Sequence, residues 1–330
     1  MGIRFEFFEA GCGDSILVST SEGTNILIDG GLVSTYRKSI QRKLSRLKSL
    51  NKVIVTHIDN DHICGIIALI NDNVRRKKIE ELWFNSCDVI KVSEANKEVG
   101  TGQSLFLEKL LLKYKINYRS DIYLSDNNQY SVAQDIILTL LSPKKEDLEE
   151  LKTKLENDES KYCNGRKTRQ IANKKCSDNR GIDEIGSIST KDNSINNKTS
   201  IAFILDYKNE SRFLFLADAH INIINDSLEK LGFSKDNRLK VDFVKLSHHG
   251  SQNNINNEFL NLVETNKFVT LTDCSKFGHP DKETYSLILK HPLRSKNIEF
   301  IFNYKSAYQN KFTQQELDKY SFTLRHKKEL

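Results

Sequence analysis

The chain has one methionine, one tryptophan and three prolines in 330 residues. With Asn, Lys and Ile abundant, this scarcity reads as a coding bias and carries no chemistry. Other absences exclude more. No stretch approaches the roughly 18 to 20 apolar residues that a membrane span requires, so no membrane partner is expected. Residues 1–9 alternate polar and apolar instead of placing a basic region before an apolar one, and the expected location is the cytoplasm. The six cysteines, at 12, 64, 87, 163, 176 and 274, form no CxxC pair and no regular spacing. That argues against a disulfide frame or zinc knuckle and predicts reduced thiols. A strong charge imbalance is also missing: 50 basic against 44 acidic residues leave a net +6, which helps to hold a polyanion without demanding one. What is present, 38% hydrophobic residues over this length, is enough for a large core and excludes a disordered chain.

Residues 3–8 and 15–19 read as strands joined by the turn Ala10-Gly11-Cys12-Gly13-Asp14, and a third strand at 25–28 runs into Asp29-Gly30-Gly31. A basic amphipathic helix is predicted over 36–49, then a strand at 53–55. Ile63, Ile66, Ile67 and Ile70 fall at i, i+3, i+4 and i+7, so a helix starts close to His62 with its isoleucine face inward. Further on, 80–84 and 136–141 read as strands, 103–113 and 144–156 as helices. Between 157 and 199 the apolar periodicity is lost, which predicts a mobile, low-order polar insertion in a single domain spanning 1–330. Strands at 200–206 and 212–217 follow, then a helix near 221–231 and strands at 241–246 and 267–272.

Chemistry concentrates at strand ends. His57, Asp59, Asp61 and His62 place four potential metal ligands within six residues on a strand-to-helix loop. Packing these charges and imidazoles together carries an electrostatic cost that a bound cation relieves. A solvated acidic loop is the bland alternative. Asp218 follows the apolar run RFLFLA, His248 and His249 follow VDFVKL, and His279 lies in FGHP. His291 and His326 read as ordinary polar groups.

The segment HxDxDH with Gly65 behind it is similar to the HxHxDH signature of the metallo-β-lactamase superfamily. Asp29-Gly30-Gly31, the aspartate of FLFLADA, and VKLSHHGS with FGHP extend the likeness along most of the chain. Together they resemble stand-alone relatives of the metallo-β-lactamase-like domain of the DNA-uptake channel protein ComEC, where the second histidine is likewise an aspartate. The resemblance implies an α+β fold, an αββα sandwich of two sheets flanked by helices. It also implies two divalent ions, Zn2+ or Mn2+ with Mg2+ possible: His57 and Asp59 on the first, Asp61 and His62 on the second, Asp218 bridging, and either His248 or His249 as the last ligand. One departure stands out. Where the superfamily has a third histidine for the first metal, this chain has Asn196, and no histidine occurs between His62 and His220. Harder oxygen ligands shift the expected preference toward Mn2+ or Mg2+.

The implied activity is metal-dependent hydrolysis, with Asp61 orienting the attacking water or taking its proton; His279 is read as protonating a leaving group or holding a phosphate oxygen, or as a plain turn histidine before proline. Asp14 and Ser15 are read as supports for the ligands or as a plain hairpin turn. A phosphodiesterase or nuclease is the first expectation, with nucleic acid as partner. Two basic runs, Arg37, Lys38, Arg42, Lys43, Arg46 and Lys48, and Arg75 to Lys78, fit a phosphate backbone but also fit solvated surfaces. Hydrolysis of a small ester or lactone is the enzymatic alternative. A non-catalytic binding module, meeting a protein partner through 157–199, is the alternative from another class.

Overall fold

The computed structural model describes residues 2–85, 102–162, 178–186, 190–276 and 278–330. Six strands form the first sheet: β1 (Ile3–Phe7), β2 (Ile16–Thr20), β3 (Asn25–Ile28), β4 (Lys52–Val55), β5 (Leu82–Phe84) and β6 (Tyr118–Arg119), paired in that order. β1 to β3 are antiparallel and β3 to β6 run parallel. The second sheet has eight strands. β7 (Gln129–Ala133), β8 (Ile136–Ser142), β9 (Ala202–Tyr207) and β10 (Ser211–Phe215) make its antiparallel half. A small ribbon pairs β11 (Leu239–Lys240) with β13 (Val263–Glu264), and β12 (Phe243–Lys245), β14 (Lys267–Thr270), β15 (Ile298–Phe302) and β16 (Phe322–His326) complete the sheet. The sheet order is β16-β15-β14-β12-β10-β9-β8-β7.

Alternate residues of each strand point to opposite faces, so the sequence of β2 sends Ile16 and Val18 one way and Leu17 the other. Ile16 and Val18 join Phe5, Phe203, Phe215 and Phe243 in a core between the sheets. Leu17, Leu27 and Val53 face outward, onto helices that bring Tyr36, Ile40, Ile63, Ile66 and Leu107. On the far side, Ile204, Leu214, Val244 and Phe300 meet Ile224, Phe259, Tyr285 and Ile288. Strands apolar on both faces thus give four layers, helix, sheet, sheet, helix, as the sandwich expectation requires. Phe5 ties the two sheets, edge-on to Phe213 at 4.5 Å and to Phe243 at 4.9 Å between ring centres.

Several expectations need correction. The basic helix begins at Val33, passes through a π-helical turn, Tyr36–Ile40, and ends at Ser45. Arg75 and Lys78 explain the stop, because they bond the carbonyls of Gln41 and Leu44 at 2.9 and 2.8 Å. The insertion is not without structure where it is described. Ile182 is buried in the outer core, its N–H donates to Glu316 Oε1 at 2.7 Å, and Ser194 caps a short helix, Ile195–Lys198. The polar side chains of this stretch are used against the rest of the fold, which composition does not reveal. Residues 163–177 and 187–189 of that insertion lie outside the described residues. Cys12 and Cys64 are free thiols as expected, whereas Cys274 is disulfide-bonded. Among the described residues, no helix is long and apolar enough to cross a membrane.

Candidate metal centre

The parallel pairings β3 with β4 and β10 with β12 and β14 align the C-terminal ends of these strands along one rim. There the backbone turns sharply. Asp29, Ala217, His248 and His249 all have positive φ, at 56°, 46°, 45° and 55°. A left-handed conformation costs a non-glycine residue roughly 1–3 kcal/mol, so strain is concentrated at this rim. Hydrogen bonds hold it in place: His248 N–H donates to the Ala217 carbonyl at 3.0 Å, and Thr56 N–H to Asp29 Oδ1 at 2.8 Å.

One atom organises the centre. Asp218 Oδ2 lies 3.8 Å from His57 Nε2, 3.6 Å from His62 Nε2, 4.0 Å from His248 Nε2 and 3.5 Å from His249 Nε2. His57, His62 and Asp218 offer one ligand atom each, all within 4.8 Å of one another, and Asp61, His62 and His249 form a second such group. His57 Nε2, His62 Nε2 and Asp218 Oδ1 are buried and carry no hydrogen bond among the described residues. Buried polar atoms are rarely left unsatisfied, and three aimed into one space fit a divalent cation.

The rest of each ring is fixed from behind. His62 Nδ1 meets Asp29 Oδ2 at 2.8 Å, and that carboxylate also accepts from the Thr56 hydroxyl at 2.7 Å. His249 Nδ1 donates to the Leu271 carbonyl at 2.9 Å. These bonds set the tautomer that leaves Nε2 free to ligate. Asp14, read from sequence as a support or a turn residue, lies 3.3 Å from His249 Nδ1 and forms a buried ion pair with Lys245. Glycine permits the close approach of these pieces: a Cβ on Gly65 would stand 1.8 Å from the Gly30 carbonyl oxygen, and one on Gly13 equally close to that of Asp61.

The remaining sequence-predicted residues border the open side. Asp59 is 39% exposed, its Oδ2 is 3.9 Å from His57 Nε2, and its Oδ1 accepts from Asn196 Nδ2 at 2.6 Å. Asn196 therefore does stand beside Asp59, one of the expected ligands. Asp61 Oδ2 accepts from the Cys12 thiol at 3.4 Å. His279 is not among the groups around Asp218; it pairs with Asp281 at 3.2 Å, and its ring centre lies 5.0 Å from that of His248. Asp192 went unpredicted because it sits in the polar insertion with no local signal. The fold brings it 3.3 Å from His248 Nδ1 and within 3.0 Å of Asn254 Nδ2.

Electrostatics agree with a cation site. Burial would raise the Asp218 carboxyl, but His249, His62 and His248 hold it well below the ordinary range. Burial would lower His248, yet Asp218 and Asp192 push it up to about 9. Burial and the adjacent His62 drive His57 down. The same carboxylate thus stabilises protons on its neighbours when no metal replaces them.

The two basic runs differ in role. Arg75 is spent on Asp72, Gln41 and Ser45, Lys78 on helix-end carbonyls, and Arg76 stacks 4.0 Å over Tyr114. Arg37, Lys38, Arg42, Arg46 and Lys48 remain exposed on the helix Val33–Ser45 and just beyond it.

Two large sheets flanked by helices, with His and Asp gathered at one strand-end rim, define a four-layer α/β sandwich with a candidate metal centre. Residues 11–81 match the model of the family described as "Metallo-beta-lactamase superfamily". Similar solved structures include the metallo-beta-lactamase fold protein YhfI from Bacillus subtilis, at 9% identity and TM-score 0.41 over 98% of this chain and 96% of that one. A diphosphatase from the PhnP family shows 12% identity and TM-score 0.44, covering 100% and 97%. A long-form RNase Z from yeast shows 11% identity and TM-score 0.40, covering 81% and 36%. No curated protein sequence matches the chain.

Proposed function

We propose that this protein is a metal-dependent phosphodiesterase acting on nucleic acid, with two divalent ions held around Asp218. The observation that carries the reading is the convergence of four histidine Nε2 atoms within 4.0 Å of Asp218 Oδ2, beside the orphaned atoms of His57, His62 and Asp218. His57 and Asp59 hold the first ion, Asp61, His62 and His249 the second, and Asp218 serves both. When bound, such a pair makes a water nucleophilic near neutral pH and neutralises charge on the attacked phosphate. Asp61, which accepts from the Cys12 thiol, would orient the attacking water and take its proton. His279, steadied by Asp281 at the edge of the centre, protonates the leaving oxygen. The three carboxylates of the set, Asp59, Asp61 and Asp218, favour Mn2+ or Mg2+ beside Zn2+. The exposed stripe from Arg37 to Lys48 supports a polyanionic substrate, since cations along a helix follow a phosphate backbone. The finer kinship, with ComEC-like proteins, rests on the HxDxDH and VKLSHHGS motifs.

The test is cleavage of single- and double-stranded DNA, RNA and a small bis-phosphodiester in Mn2+, Mg2+ or Zn2+. Asp61→Ala is expected to lower polymer cleavage at least ~100-fold, the lower end of what a positioned acid–base group contributes. Cleavage of the small ester alone would move the assignment to a small-molecule phosphodiesterase. No turnover by a metal-loaded protein on any of them would overturn the hydrolytic reading.

A further inference from the structure

The adjacent histidines His248 and His249 both reach Asp218, and the first metal position lacks the third histidine that the resembled superfamily places there. We propose that His248 completes the first position, so that each ion takes two histidines and one aspartate of its own and shares Asp218. The inference rests on the two-ion reading above and assigns residues within it.

Three observations carry it. First, Asn196, which the sequence resemblance sets at the place of the missing histidine, donates its amide nitrogen to Asp59 Oδ1 at 2.6 Å. It orients a carboxylate ligand. Second, His249 already has a place, with its Nδ1 on the Leu271 carbonyl and its Nε2 grouped with Asp61 and His62. Third, His248 has the tautomer and direction of a ligand. Its Nδ1 has two acceptors, Asn254 Oδ1 at 3.1 Å and Asp192 Oδ2 at 3.3 Å, both nearer than the one donor, Asn197 Nδ2 at 3.4 Å, which favours the proton there and the lone pair on Nε2. That Nε2 is 4.0 Å from Asp218 Oδ2, against 3.8 Å for His57 Nε2. Ligand atoms each about 2.0–2.2 Å from one ion stand no more than ~4.4 Å apart, so each ring is near enough to hold an ion together with Asp218.

Asp192 gives this arrangement its support. Its Oδ2 also accepts from Asn197 Nδ2 at 2.7 Å and Asn254 Nδ2 at 3.0 Å, which holds the carboxylate behind His248 as Asp29 is held behind His62. A carboxylate in that position fixes ring orientation and raises ligand basicity. Asp192 and Asn196 both belong to the polar insertion, so that segment supplies the outer wall of the first position. Asp192 is a positioning residue, acting through His248.

The experiment titrates metal-free protein with Co2+, reading ion number by calorimetry and ligand geometry by visible absorption. Wild type is expected to take two ions, and Asp61→Ala to keep only the first. Adding His248→Ala to Asp61→Ala should weaken that ion by more than the ~10–100-fold that outer partners carry, and change its spectrum. Adding His249→Ala instead should leave it unchanged. The single variant His248→Ala should still load the second position with wild-type affinity, which shows an intact fold. Asp192→Asn should weaken the first ion ~10–100-fold and spare the second. Equal Co2+ affinity and spectrum in Asp61→Ala with and without His248→Ala would overturn the inference while leaving two-ion binding in place. A wild type that takes up no Co2+ would instead overturn the metal reading itself.

Discussion

Alanine in place of Asp218 is expected to empty both metal positions and lower hydrolysis at least ~1,000-fold, about 4 kcal/mol of transition-state stabilisation. No other side chain in the centre is so shared, because its Oδ2 lies within 4.0 Å of all four imidazoles while its backbone follows the left-handed Ala217. Removing the carboxylate leaves four imidazoles facing one another without the charge that draws them together. Asp218→Asn keeps the volume and should empty the positions nearly as completely, which separates charge from packing. Metal content after gel filtration and turnover on the polymer substrate are the measurements, and a variant that keeps both ions and its activity would contradict the bridging role.

Gly65→Ala is expected to act on the same centre through the backbone. The added Cβ would meet the Gly30 carbonyl oxygen at 1.8 Å and its carbon at 2.5 Å, and neither can rotate away. Relief requires the helix Asn60–Asn71 to shift off the Asp29-Gly30-Gly31 turn. Two hydrogen bonds cross that contact, Gly30 N–H to the His62 carbonyl and Gly65 N–H to the Gly31 carbonyl, both 2.8 Å. Overpacking a tight contact costs about 1–3 kcal/mol, and losing these bonds adds to it. Because His62 and Asp29 lie on the two sides, the shift also separates a ligand from its support. Denaturant unfolding should show a loss of ~2–4 kcal/mol, and metal titration a weaker second position. Wild-type stability and affinity would show that the contact is looser than described.

The layers of this fold were legible because they follow from periodicity. The strand 25–28 and the helix 103–113 emerge with the bounds that apolar spacing predicts. The local half of the centre was legible for a similar reason: His57, Asp59, Asp61 and His62 are neighbours in sequence, and their crowding alone points to a cation. What lay beyond reading depends on chain crossings. Asp192 has no distinguishing neighbours, and its role arises only where the fold sets it beside His248 and Asn254. The polar composition of 190–199 pointed toward disorder, yet Asn196 bonds Asp59, and Asn197 bonds Asp192, which in turn meets His248. Likewise, that both His248 Nε2 and His249 Nε2 come within 4.0 Å of Asp218 Oδ2 depends on a backbone turn with φ of 45° and 55°, which no spacing rule encodes. The basic run Arg75 to Lys78 looked like a phosphate track, but Arg75 and Lys78 are consumed by a helix end that lies thirty-odd residues earlier in the chain.

Elemental analysis of protein purified without chelator decides whether a two-ion centre is built on Asp218. About two divalent ions per chain are expected, removed by a chelator and restored by stoichiometric Mn2+ or Zn2+ together with phosphodiester cleavage. Protein that carries no ion, and binds none when Mn2+, Zn2+ or Mg2+ is added, would contradict it.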